Sequence, residues 1–250
     1  MQAEFDFRLG CNDGTEYRLK PTSALFFVDE TGAEKVNDPI YSIFGFGGCW
    51  ILAGEYMAMV HTPWNLIRQT HFPDVVGPFH KADIGRFTDE QYSAIVEYFE
   101  RARIGRFASV ASSETQIPTN ITLLQAVYGS LHNRILEMLK WMPFTDVFII
   151  LEDSNLKPKL ERYSTGLVFC EEIDGSKKEI PIHYGVMSKK LDFPGLAVAD
   201  YIIHTAGTTY RDLLNGKLKN NHDRLDFKAI FDPSDRKLSS FIYITSAIQN

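Results

Sequence analysis

Three carboxylates in this chain stand where apolar elements run out. Asp29 follows "LFFV", Glu152 follows "VFIIL", and Asp200 lies within "GLAVADYI", a stretch that otherwise reads as a helix made to be buried. A carboxylate in such a place is costly unless it is paired or bound to a metal. In open α/β sheets, ligands gather outside the carboxyl ends of strands. Two neighbouring strands with a helix packed across them would therefore bring the three acids together. Converging carboxylates repel one another unless a cation sits between them, and hard divalent ions such as Mg2+ take oxygen ligands. Two such ions, about 4 Å apart, activate water and stabilise the leaving oxygen in phosphodiester cleavage. Each acid also has a plainer reading. "VDETG" is an ordinary exit from a strand into a turn. "LEDSN" places Asp153 or Ser154 to cap a following helix. Asp200 and His204, one helical turn apart, fit a narrow exposed stripe.

The elements that must position these acids are legible as periodicity. "SALFFVDETG" (23–32) reads as a strand into a turn, and "IYSIFGFGGCWILAG" (40–54) as a second strand beside it, its glycines marking a bulge or a close backbone approach. Residues 56–70 read as a short helix. "FTDEQYSAIVEYFERARIG" (87–105) is an amphipathic helix with a Thr88–Gln91 capping box, a stripe of Ile95, Tyr98, Phe99 and Ala102, and Gly105 at the expected stop. A strand follows at 106–112. Residues 117–143 read as the longest helix, ended by Pro143, and 145–155 as a strand buried on both faces. Beyond a short helix near 156–163, a hairpin turns at Asp174-Gly175, and a helix spans 195–211 with Pro194 near its first turn. A polar tail ends in "SSFIYITSAI", a strand or short helix. The pattern predicts an α/β or α+β domain built around one mixed sheet.

Composition narrows the classes. The hydrophobic share of 44% is that of a folded globular chain, so disorder is not the default. The apolar runs are far too short to span a bilayer, which argues against a membrane partner. The N-terminal stretch lacks the apolar core of a signal peptide. Cys11, Cys49 and Cys170 lie far apart without a CxxC pair, which speaks against a disulfide framework or zinc finger and suits a reducing cytoplasm. A net charge of −6 provides no broad basic face, although local basic segments can still hold phosphates beside an acidic metal site.

The order of these motifs resembles domain-of-unknown-function family 3800. "FFVDETG", the Gly-rich aromatic strand, "FHKADI", "FIILEDSN" and "SKKLDFPGLAVADYIIHTAGTTYR" carry the resemblance over about residues 24–211. The family's opening Asp-Glu-Ser-Gly is matched by Asp29-Glu30-Thr31-Gly32. Its closing Gly-Leu-Gln-x-Ala-Asp is matched by Gly195 to Asp200, with Ala197 in place of Gln. The resemblance implies an α/β ribonuclease H-like fold, a mixed sheet flanked by helices, within a single domain of residues 1–250 that has a C-terminal extension from 212.

The same resemblance implies a site. Asp29, Glu152 and Asp200 would bind Mg2+ or Mn2+, with Asp153 as an alternate where the family's middle strand usually ends in Asp. The family often has Glu-x-His before its second helix, where this chain has Pro78-Phe79-His80, so one expected ligand is missing and Asp83 is the nearest substitute. His80 is a candidate proton shuttle, and Lys81, Arg86, Arg103 and Arg106 are candidate phosphate contacts. The leading expectation is a metal-dependent phosphodiesterase or nuclease acting on DNA or RNA in the cytoplasm. Asp200→Asn would abolish cleavage and leave the fold intact or firmer, by removing repulsion. The alternatives are a binding module that kept the fold and lost the chemistry, and a hydrolase of small phosphorylated molecules.

Overall fold

The computed structural model describes residues 7–34, 42–77, 79–81, 87–139, 144–152, 157–162, 167–171, 177–188, 190–232 and 239–246. The chain starts with a two-stranded antiparallel ribbon, β1 (Phe7–Gly10) and β2 (Glu16–Leu19). The main sheet is mixed and flanked by helices. Its strands are β3 (Ala24–Gly32), β4 (Ile43–Leu52), β5 (Gly105–Gln116), β6 (Val147–Glu152) and β8 (Lys177–Met187), with β7 (Leu167–Glu171) and β9 (Ser239–Ser246) at the edges. The order across the sheet is β7-β8-β6-β3-β4-β5-β9. Strands β3, β4 and β5 pair antiparallel, β6 lies parallel to β3, and β8 lies parallel to β6. The tail thus supplies β9, a strand parallel to β5.

Strand alternation divides the core into two layers. Ala24, Phe26 and Val28 of β3, with Val147, Ile149 and Leu151 of β6, pack on one face, in one cluster with Leu124, Val127, Leu131 and Ile135 of helix α3 (Leu123–Leu139). Leu25 and Phe27, with Phe148 and Ile150, face the other way, toward helix α5 (Pro194–Leu214). The same face carries α1 (Thr62–His71), entered through a π-helical turn at Met57–His61, and α2 (Asp89–Arg101). Two short helices complete the chain, α4 (Lys157–Glu161) and α6 (Leu225–Ile230). Strand β6 is buried at every position, as its unbroken apolar run requires.

The capping box of α2 forms as read: Gln91 N donates to Thr88 Oγ1 at 3.2 Å and Thr88 N to Gln91 Oε1 at 3.0 Å. The helix nevertheless stops at Arg101, and Gly105 opens β5 against the Trp50 ring. Among the described residues the longest helix is α5, with 21 residues, and not α3, with 17. The register of β3 on β4 runs without a shift, so the glycines of β4 serve close approach and not a bulge. At Gly47 a Cβ would lie 2.9 Å from Ile203 Cδ1 of α5. Pro143 and the Asp174-Gly175 turn lie outside the described residues. No helix among the described residues is long and apolar enough to cross a membrane.

Candidate metal centre

By alternation, Asp29 continues the face of Leu25 and Phe27, and Glu152 that of Phe148 and Ile150; both turn toward α5. The sequence suggests that Asp29 ends its strand, but β3 continues to Gly32 along β4, with Asp29 opposite Gly47. What ends there is the ladder to β6, whose last pair is Val28 with Leu151. Asp29 and Glu152 are the next residues on each strand, at the point where the two strands part.

Helix α5 is pressed against β3 on both sides of Asp200. A Cβ at Gly195 would stand 2.7 Å from the Phe27 ring, and one at Gly207 2.8 Å from Thr31 Cγ2. Because α5 is apolar nearly all round, it is covered on its outer side as well: Tyr201 stacks on Phe99 and Phe87. Asp200 is therefore only 4% exposed, which overturns its reading as part of an exposed stripe.

Asp29, Asp200 and His204 each offer one ligand atom within 4.8 Å of the others. His204 is the functional candidate that sequence reasoning missed. Its spacing from Asp200 was visible, and the run of apolar residues around both should have ruled out a solvent-facing stripe. His204 Nε2 lies 3.3 Å from Asp200 Oδ1, and His80 Nδ1 lies 3.7 Å from the same oxygen. The other oxygen, Oδ2, accepts from the Lys81 backbone N–H at 2.7 Å. Glu152 is buried but stands outside the Asp29–Asp200–His204 group, and His80 Nε2 is 3.5 Å from its Oε1. His80 thus bridges Glu152 and Asp200.

The electrostatics of the two aspartates are opposite. Burial, then the charges of Asp200 and Glu152, push the Asp29 carboxyl up to about 8, against a backbone hydrogen bond from Glu30. Burial acts on Asp200 in the same direction, but hydrogen bonds from His204, His80 and the Lys81 backbone hold its carboxyl well below the usual range. His204 is raised, first by its hydrogen bond to Asp200 against burial, then by the charges of Asp200 and Asp29. Among the described residues no lysine or arginine forms an ion pair with Asp29. Two carboxylates and an imidazole converging without such a counter-charge form a donor set that fits a divalent cation.

The remaining candidates fall in varied places. The Lys81 ammonium does not lie on the surface. It sits over the Tyr201 ring at 4.1 Å, contacts Thr205 Oγ1, and lies 3.6 Å from Asp226 Oδ2. Burial lowers it to about 8 in spite of Asp226. Arg106 is buried and donates to the carbonyls of Phe99 and Ala102 at the end of α2, so it closes a helix instead of presenting a phosphate contact. Arg103 is exposed just beyond that helix. Asp153, Asp83, Arg86 and Pro78 lie outside the described residues.

No family model, curated protein or solved structure matches this chain.

Proposed function

We propose that the chain is a divalent-metal-dependent phosphodiesterase acting on nucleic acid, with Asp29 and Asp200 holding Mg2+ or Mn2+. The observation that carries this reading is the pair itself. Two carboxylates from separate elements face each other at the point where parallel strands diverge, and no lysine or arginine among the described residues pairs with Asp29. The sheet order supports a ribonuclease H-like core of the kind the resemblance to family 3800 implies. Three antiparallel strands, β3 to β5, are followed by β6 and β8 parallel to β3, with α3 and α5 on opposite faces. A divalent ion in such a site supplies Lewis-acid polarisation of a phosphoryl oxygen and activation of water.

The chain's own groups divide the remaining work. The Lys81 N–H fixes the Asp200 carboxylate. His80, partly exposed and between Glu152 and Asp200, is placed to carry a proton to or from substrate. One observation favours the binding-module alternative: Glu152 stands apart from the Asp29–Asp200–His204 group, which leaves fewer carboxylates than a two-ion centre uses.

The test is incubation of the chain with labelled single- and double-stranded DNA, RNA and small phosphate esters in Mn2+ or Mg2+. Cleavage of a polynucleotide that chelation and Asp29→Asn both abolish is the expected result. Cation binding without hydrolysis of any substrate would support the binding module. Hydrolysis confined to the small esters would move the activity to the third class.

A further inference from the structure

We propose that His204 is itself a ligand of the metal, and that it sets the identity of the ion: a transition metal such as Mn2+, Co2+ or Zn2+ in preference to Mg2+. This rests on the reading of Asp29 and Asp200 as a cation site and specifies which cation. Two imidazoles approach the same oxygen, Asp200 Oδ1, at 3.3 Å from His204 and 3.7 Å from His80, yet they are not equivalent. His204 alone shares the group in which every ligand atom lies within 4.8 Å of the others, so it faces Asp29 as well as Asp200. His80 lies outside that group, between Asp200 and Glu152.

The placement of His204 is built into α5. It lies one turn after Asp200, on the same face of the helix, and that face is held over β3 by the close packing of Gly195 and Gly207. Its side chain is 32% exposed, so the ring is reachable from solvent while Asp200, at 6%, is not. Mg2+ demands near-ideal octahedral oxygen coordination and sheds water reluctantly, whereas imidazole suits transition metals. A donor set of two carboxylates and one imidazole therefore discriminates by ligand type.

The experiment uses the full chain and the metal alone. Calorimetric titration with MnCl2, CoCl2 and MgCl2 is run on the wild type, His204→Asn and His204→Asp, together with pulsed electron spin resonance of the Mn2+-loaded protein. The expected result is Mn2+ binding at least about tenfold tighter than Mg2+, with the gap narrowed in His204→Asp. The loaded wild type should show 14N coupling to Mn2+ that disappears in His204→Asn and persists in His80→Asn. Bound Mn2+ without 14N coupling would overturn the inference and leave His204 as an orienting partner of Asp200, with the carboxylate site intact. Coupling that survives in His204→Asn would overturn it equally. If both His204 variants fail to fold, the wild-type coupling and the His80→Asn control decide. Failure of every cation to bind would remove this inference and the metal-site reading together.

Discussion

Two groups of buried charge touch α5, and they are balanced in opposite ways. Asp226, 1% exposed at the start of α6, accepts from Arg224 Nε at 3.1 Å and Nη2 at 2.8 Å, from the Phe227 N–H at 2.9 Å, and lies 3.6 Å from the Lys81 ammonium. Burial would raise its carboxyl, but Arg224 and Lys81 together hold it down. Asp29 and Asp200 are also carboxylates inside the fold, yet the counter-charges around them are imidazoles, gathered on Asp200. Burial of an acid is therefore not what marks the candidate site; among the described residues, the lack of an arginine or lysine ion pair at Asp29 is. Lys81 joins the two groups, with its backbone N–H on Asp200 and its ammonium beside Asp226. The tail from 212, which carried no motif in the sequence, thus braces the segment that holds Asp200.

Substitutions should separate the balanced group from the unbalanced one. Asp226→Ala leaves the Lys81 ammonium without its acid and Arg224 with only Asp212, 3.9 Å away, and is expected to lower the unfolding free energy by about 3–5 kcal/mol in a urea titration. A loss below about 1 kcal/mol would place the pair among surface interactions. Asp29→Asn is expected to act the other way in metal-free protein. A carboxyl raised to about 8 in the fold keeps its proton where the unfolded chain has lost it, so wild-type stability falls as pH rises from about 4 toward 8. Asparagine removes that penalty. The variant should match the wild type near pH 4 and exceed it by about 1–3 kcal/mol at pH 8, while its melting temperature no longer rises with Mn2+.

Asp200→Asn should behave differently again. A depressed carboxyl contributes stability above its ordinary value and loses it as pH falls through the folded value. Replacing it forfeits hydrogen bonds from two histidines and should cost about 1–2 kcal/mol at pH 7 by denaturant unfolding, as well as abolishing cleavage. The sequence pointed instead to relief of repulsion at Asp200. The structure locates that relief at Asp29, because the hydrogen bonds from the Lys81 backbone N–H and both imidazoles go to Asp200, and the His204 charge offsets only part of the burial and repulsion at Asp29.

Local patterns explain what could be read in advance. The alternation in "ALFFVDETG" and the unbroken run in "VFIIL" indicated two core strands, and their acids are the first residues beyond the last β3–β6 pair, although β3 stays paired with β4 and Glu152 with β8. Pro194 and the Thr88–Gln91 box marked helix starts through short-range chemistry. What could not be read depends on contacts distant in sequence. Lys81 meeting Asp226, Arg106 closing α2, and His80 set between Glu152 and Asp200 follow from how elements dock, and spacing along the chain carries no trace of that. His204 was the exception, a local signal assigned to the wrong side of its helix.

The most direct test of the central claim is an anomalous difference map from crystals soaked in Mn2+ at pH 8. The account predicts one strong peak between Asp29 and Asp200, at coordination distance of about 2.0–2.3 Å from an oxygen of each. A map without a peak there, with the two carboxylates bonded to each other through a shared proton, would contradict it.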